Sequence, residues 1–287
     1  MIESQSKRER NQFILALVLI ILAASNALTL PAFLELKQKY DKLSNDYSDL
    51  SANYNTLEIW YSAIRNSINL RLALTKEDRK KFITPDDPNV KSLVFQITGG
   101  WNNTSDMNEY WKDLYKMYRW VVDNVEYSYD TPLPIMPEVG KPVVSEIYKK
   151  IQWKEEYWRF PNETIREKRG DCEDQALLLA SMILSYENRK YPVWAIKLSN
   201  GTLGHLAVAL SVTDKELTIL DPAGKFYTAD IEGNLCSKDV RSAIREWEFY
   251  WNFHGYGGTI PDLIFSETEY REFSSTLDFI DWMLNRK

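Results

Sequence analysis

Two cysteines and two histidines are all that 287 residues contain. Two cysteines cannot build a disulfide framework, so this fold has to rest on a packed core. With only His205 and His254 present, a histidine-rich metal centre is excluded and the search for a general base is short. The net charge is −6, and basic residues beyond the N-terminus are offset by nearby acids, which argues against nucleic acid as a partner. Neither repeats nor low-complexity tracts interrupt the chain. Aromatics, by contrast, are dense, with ten Trp and seventeen Tyr. The cluster Trp101, Tyr110, Trp111, Tyr115, Tyr118 and Trp120, and a second group over 247–256, suggest helices packed by ring contacts.

One of the cysteines lies in Gly170-Asp171-Cys172-Glu173-Asp174-Gln175-Ala176, directly before Leu177-Leu178-Leu179-Ala180-Ser181-Met182-Ile183-Leu184. That run has no solvated face and predicts a buried helix, with Gly170 as the turn and Asp171 as N-cap. Cys172 then sits at a helix N-terminus, where unpaired N–H groups and the positive end of the dipole favour a thiolate, the nucleophilic form. Helix geometry is expected to spread Glu173 and Asp174 around the axis. As first-turn acids they complement the dipole, and their spacing matches no cation loop, so no metal or cofactor is assigned. Cys236 is read as an inert core thiol. His254, in the Gly-rich stretch Phe253-His254-Gly255-Tyr256-Gly257-Gly258, is read as structural.

His205 opens the apolar run Leu206-Ala207-Val208-Ala209-Leu210-Ser211-Val212, which predicts a buried strand. A second strand, Glu216-Leu217-Thr218-Ile219-Leu220, ends at Asp221-Pro222. A hairpin through Thr213-Asp214-Lys215 would bring Asp221 close to the level of His205, because antiparallel partners mirror about the turn. Whether the two share a face depends on the register, since a slip of one residue turns one of them away.

Cys at the head of a buried helix, His at the start of a strand and Asp before Pro at the end of the next resemble the transglutaminase-like superfamily of papain-related thiol enzymes. The flanks agree in order: Trp120-Val121-Val122-Asp123-Asn124-Val125-Glu126-Tyr127, Pro161-Asn162-Glu163-Thr164, then Arg169-Gly170-Asp171-Cys172-Glu173-Asp174. The resemblance covers about residues 110 to 230. It departs from the family at Ala207, where many members carry an aromatic residue. It implies that Cys172 attacks an amide carbonyl, His205 shuttles the proton and Asp221 holds the imidazole, with a thioester intermediate. An amine acceptor would then give transamidation, and water would give deamidation or proteolysis. Family members add a second oxyanion donor to the Cys172 N–H, for which Gln152, Trp153 and Trp158 are the candidates. Three alternatives stay open: a cysteine protease with the same triad, a degenerate member that only binds or scaffolds, and a structural stalk protein.

At the N-terminus, Lys7, Arg8 and Arg10 precede an apolar run from Phe13 to Ala24 that continues, with interruptions, to Leu34. A span needs about 20 residues, so residues 1–34 predict a cytoplasmic tip and a single tilted transmembrane anchor. The rival reading is a cleaved signal peptide ending at Ser25-Asn26-Ala27; either one exports the rest of the chain. Next, Leu36, Tyr40, Leu43, Tyr47, Leu50, Tyr54, Leu57, Tyr61 and Ile64 recur at steps of four and three, a heptad seam with Tyr at a and mainly Leu at d. Residues 35–69 are therefore expected to form a coiled-coil-like helix. Its seam, about 43 Å long, would serve a homo-oligomeric stalk or lie on the chain's own domain.

Residues 70–100 read as a linker, because Glu77-Asp78-Arg79-Lys80-Lys81 is charged and Thr84-Pro85-Asp86-Asp87-Pro88 is rich in turn signals. Residues 101–287 are then the enzyme domain, of α+β class, with strands near 191–198, 205–212 and 216–221 and a last amphipathic helix from about 267 to 285. The expected partners are a protein or peptide substrate and a membrane. Sequons at Asn102, Asn103, Asn162 and Asn200 fit an exported domain weakly.

Overall fold

The structure, a computed structural model, describes residues 2–138 and 152–286. The chain divides into two units, Met1–Ile64 and Arg65–Lys287. The first is helical throughout, formed by α1 (Ile2–Arg71), which passes Pro31 without a break and continues into the second unit. Within its apolar stretch the hydroxyls of Ser25 and Thr29 bond back to the carbonyls of Leu22 and Ser25, at 3.1 and 2.8 Å, so neither is left unpaired. The helix is long and apolar enough to cross a membrane. Along the heptad seam Leu36, Tyr40, Leu43, Tyr47, Leu50, Tyr54, Leu57 and Ile64 are 54–73% exposed.

The second unit is a three-layer α+β domain. Its centre is a sheet in the order β11-β10-β5-β6-β7-β8, with β9 added on β7. These strands are β5 (Val193–Ser199), β6 (Gly204–Leu210), β7 (Glu216–Asp221), β8 (Phe226–Tyr227), β9 (Lys238–Asp239), β10 (Ile260–Phe265) and β11 (Tyr270–Glu272). Every pairing within it is antiparallel. On one face lie α3 (Pro88–Thr98), α4 (Met107–Asn124), α5 (Pro161–Glu167) and α6 (Cys172–Glu187), with the short α2 (Lys76–Lys80) ahead of them. The other face carries α7 (Val240–Phe253) and α8 (Thr276–Asn285). Two two-stranded pieces complete the unit, β1 (Glu126–Tyr127) parallel to β4 (Arg169–Gly170), and β2 (Leu133–Pro134) antiparallel to β3 (Trp153–Lys154).

Strand alternation divides the core in two. Val193 and Ala195 of β5 and Leu206, Val208 and Leu210 of β6 pack with α3, α4 and α6. Trp194, Ile196, Leu198, Ala207 and Ala209 face α7 and α8 instead. This is the period-2 geometry of a strand buried on both sides.

Two stretches differ from the sequence reading. Residues 70–100 are no linker: Phe82, Ile83, Val90 and Val94 are buried in the first core, and the turn signals start a helix. Asp87 caps α3 by accepting from the Asn89 N–H at 2.8 Å, and Pro88 stands at its first position, where a missing N–H costs nothing. The last helix begins at Thr276 rather than near 267, because Tyr270–Glu272 pair with β10 and Ser275 caps α8 by accepting from Asp278 N–H at 3.1 Å.

Candidate active site

The hairpin register settles how His205 and Asp221 relate. Val208 lies opposite Leu220 and Ala209 opposite Ile219, so one further step puts Asp221 beside Ala207. Residues 205 and 207 share a face, so His205 and Asp221 do as well. His205 Nε2 lies 2.8 and 2.9 Å from the two Asp221 oxygens, with both residues buried.

Asp221 collects further donors. The Gly224 N–H donates to Oδ1 at 2.7 Å, and the indole N–H groups of Trp247 and Trp251 donate to Oδ2 at 2.9 and 3.1 Å. A side chain at 224 would not fit, since its Cβ would come within 2.6 Å of Asp221 Oδ2. Burial works against the Asp221 charge, yet the facing His205 and these N–H groups hold its carboxyl below the usual carboxylate value. With Asp221 ionised, Nε2–H is the donor that faces it, and in the neutral imidazole Nδ1 is the acceptor atom, turned away from Asp221.

Cys172 opens α6, as the sequence predicts, and α6 is buried along nearly its whole length. The electrostatics differ from expectation. The thiol donates to Glu173 Oε2 at 3.4 Å and accepts from the Leu206 N–H, and among the described residues no hydrogen bond joins it to His205. Burial, and then the charges of Glu173 and Asp171, push the Cys172 thiol well above its ordinary value against the opposing Leu206 N–H. Asp171 stands at the N-cap position but makes no capping bond, and among the described residues its buried Oδ1 has no partner.

The first-turn acids are buried: Glu173 is 7% exposed and Asp174 0%, and they meet residues from far upstream. Asp174 accepts from the Arg159 backbone N–H at 2.7 Å and from its guanidinium at 2.6 Å, while Asp130 accepts from the same guanidinium at 3.1 Å. Burial pushes Asp171 up to about 6 and Asp174 up to about 7, and it raises Glu173 well above the carboxylate range with Asp171 beside it. One arginine cannot neutralise so many carboxylates, so protons are retained. Gly170 makes room for this, because a Cβ there would lie 2.5 Å from that of Asp174. Asp130, Glu156 and Glu173, and likewise Asp130, Asp171 and Asp174, hold oxygens within 4.8 Å of one another, a donor set of the type hard cations take.

Of the three candidate oxyanion donors, Trp158 donates its indole N–H to Glu156 Oε2 at 3.0 Å, the backbone carbonyl of Gln152 accepts from Ile135 N–H at 2.8 Å, and Trp153 is 59% exposed. Among the described residues none of them hydrogen-bonds to Cys172. His254 is a helix-end residue, its Nδ1 2.8 Å from the Tyr250 carbonyl. Cys236 is half-buried, and both cysteines are free. The Asn162 side chain is half-buried and donates to Asp87 Oδ2 at 3.0 Å, which takes it out of the set of open sequons.

Trp247, Trp251, Arg159 and Asp130 escaped the sequence reading. The two tryptophans carried a signal, a spacing of four that puts both on one face of a helix. Nothing local marked Asp130, which lies 29 residues from Arg159.

Residues 97–243 match a protein-family model described as a transglutaminase-like domain. The UPF0252 protein MJ1282 of Methanocaldococcus jannaschii is 25% identical over 169 residues, covering 54% of this chain and 41% of that protein. The chain therefore spans less than half the length of that relative. Among solved structures, LapG of Legionella pneumophila is similar at 15% identity and a TM-score of 0.32, over 71% of this chain and 98% of LapG. A candidate cysteine protease from Cytophaga hutchinsonii is similar at 15% identity and a TM-score of 0.31, over 56% of this chain and 45% of that one.

Proposed function

Because the chain belongs to the transglutaminase-like family, we propose that Cys172, His205 and Asp221 form a Cys–His–Asp triad that cleaves amide bonds through a thioester. The observation that carries this reading is the His205–Asp221 pair at 2.8 Å, which engages Nε2 and leaves Nδ1 outside that pair, on the residue next to the backbone N–H that contacts the thiol. The thiol proton passes from Sγ to Nδ1 as Cys172 turns from Glu173, and sulfur bonds to the amide carbon. The C–N bond then breaks, the leaving amine takes the proton from Nδ1, and the acyl group remains on sulfur. An amine or water, giving its own proton to Nδ1, attacks the thioester and regenerates the thiol.

The substrate on this reading is a protein or peptide. The enzyme domain is tethered by residues 1–34 and held outside the cytoplasm, since Arg8 and Arg10 precede the apolar run. Residues 36–64 form the stalk, and their exposed Tyr and Leu seam would pair with a second copy.

A second reading, a catalytically silent binding protein, is favoured by one observation: the thiol bonds to Glu173 rather than to His205. The full chain incubated with dimethylated casein and a biotinylated primary amine separates the cases by mass spectrometry. Biotin on glutamine indicates acyl transfer and new peptide ends indicate proteolysis, both lost in Cys172→Ala. If neither product forms, and Cys172 takes no adduct from a panel of peptidyl vinyl sulfones, the enzyme reading fails.

A further inference from the structure

Sequence alone makes the aromatics of α7 core packing. Trp247 is fully buried in the second core, as that reading requires. Its polar atom, however, does not point idly into that core. Trp247 and Trp251, one helical turn apart, both donate to Asp221 Oδ2, at 2.9 and 3.1 Å. Trp251 also lies against the imidazole, its ring centroid 4.3 Å from that of His205 at an interplanar angle of 51°. Both tryptophans fall outside residues 97–243, the part that matches the family model.

We propose that Trp247 and Trp251 are positioning residues that lock Asp221 as an ionised acceptor and His205 as the Nε2–H tautomer. The proposal rests on the triad reading for its use in catalysis, but not for its geometry. A carboxylate oxygen has two lone-pair directions in the plane of the group. Two indole donors on Oδ2, with Gly224 N–H on Oδ1, fix the orientation of that plane. The only favourable placement left to the imidazole is Nε2–H toward Asp221, with Nδ1 facing away. Trp251 then restricts rotation of the ring from its open side. Indoles suit this task because they donate and cannot accept, so they never compete with His205 for the proton.

The other charged and titratable groups near this carboxylate are few. From α4, Tyr118 feels the Asp221 charge, as does Tyr250 of α7, whose hydroxyl donates to the Gly224 carbonyl; neither bonds to Asp221 itself.

The test uses the full chain labelled with ¹⁵N-histidine, in a His254→Gln background so that one imidazole signal remains. Where the ring is neutral, the unaltered site should show the Nε2–H tautomer alone. Trp251→Phe, and separately Trp247→Phe, should mix the tautomers, since each removes one donor that fixes the carboxylate. If a folded Trp251→Phe chain gives a tautomer signal superimposable on that of the parent, the proposal is overturned. Trp251 is partly exposed, so this variant carries the decision if Trp247→Phe fails to fold. On the unaltered tryptophans, the two indole N–H resonances should shift together as Asp221 protonates, and pH-independent resonances would also overturn the proposal. The readout is the imidazole, so it stands apart from the triad reading: that reading fails if His205→Ala leaves Cys172 reactivity unchanged, whatever the tautomer shows.

Discussion

Asp221 and Asp174 are the same residue type, both completely buried, yet they are shifted in opposite directions. Asp221 stays below the usual carboxylate value, whereas Asp174 is pushed up to about 7. Lack of partners does not explain this, because Asp174 accepts two bonds from Arg159 at 2.7 and 2.6 Å. The difference lies in who else is near. Among the described residues every hydrogen-bond partner of Asp221 faces it with an N–H group, namely His205, Gly224, Trp247 and Trp251. Around Asp174, Asp171 stands close and Arg159 is shared with Asp130. A buried carboxylate keeps its charge when donors surround it without competing acids, and one shared cation does not suffice.

Three substitutions sharpen or break this contrast, and the largest effect belongs to Asp221→Asn. Its amide N–H facing Nε2 would force the ring proton onto Nδ1 and remove the base. Acylation of Cys172 by a peptide electrophile should fall about 1,000- to 10,000-fold. A loss under tenfold in a folded chain would mean that Asp221 does not set the tautomer.

Next in size is the pH dependence of stability. Asp174 has a folded value near 7 against an ordinary 3.8, so between them the folded state keeps a proton that the unfolded chain releases. Stability should therefore fall as pH rises through that window, by on the order of a few kcal/mol from this residue alone. Asp221, with its lowered value, works the other way: its contribution is full above the unfolded value and is lost as pH falls through the folded one. Thermal unfolding against pH should show Asp174→Asn flattening the slope between pH 4 and 7, and Asp221→Asn changing the profile only at more acidic pH. Equal effects of the two variants in one window would erase the contrast.

The smallest effect concerns the thiol. Glu173→Gln removes a carboxyl group 3.4 Å from Sγ, so at pH values high enough to ionise the buried Glu173, Cys172 alkylation should accelerate about tenfold. An unchanged rate would show that burial alone raises the thiol.

What was legible in the sequence was local. The α6 helix announced itself through Gly170, Asp171 and an apolar run, and the β6–β7 hairpin through its two strands and a polar turn. The pairing of His205 with Asp221 was narrowed to a question of parity, which only the register could answer. What stayed hidden was set by distance along the chain. Trp247 and Trp251 reach Asp221 from 26 and 30 residues away, and Arg159 reaches Asp174 from 15. Strand β10 enters the sheet beside β5, and Pro261 interrupts its alternation, with a register shift between Pro261 and Leu263. The charged run at 77–81 masked the buried Phe82 and Ile83 that follow it. The helix-dipole argument for Cys172 failed for a related reason. It counted the backbone N–H groups of one turn, but not the burial of the thiol, nor Glu173 folded back against it.

The most direct test of the account is the rate of iodoacetamide alkylation of Cys172 against pH in the full chain, with Cys236→Ser as background, compared with His205→Ala. The account predicts a His205-dependent component of the rate at pH values below the thiol's own titration, absent from His205→Ala. Superimposable profiles from two folded proteins would contradict it, because the imidazole would then have no hold on the thiol.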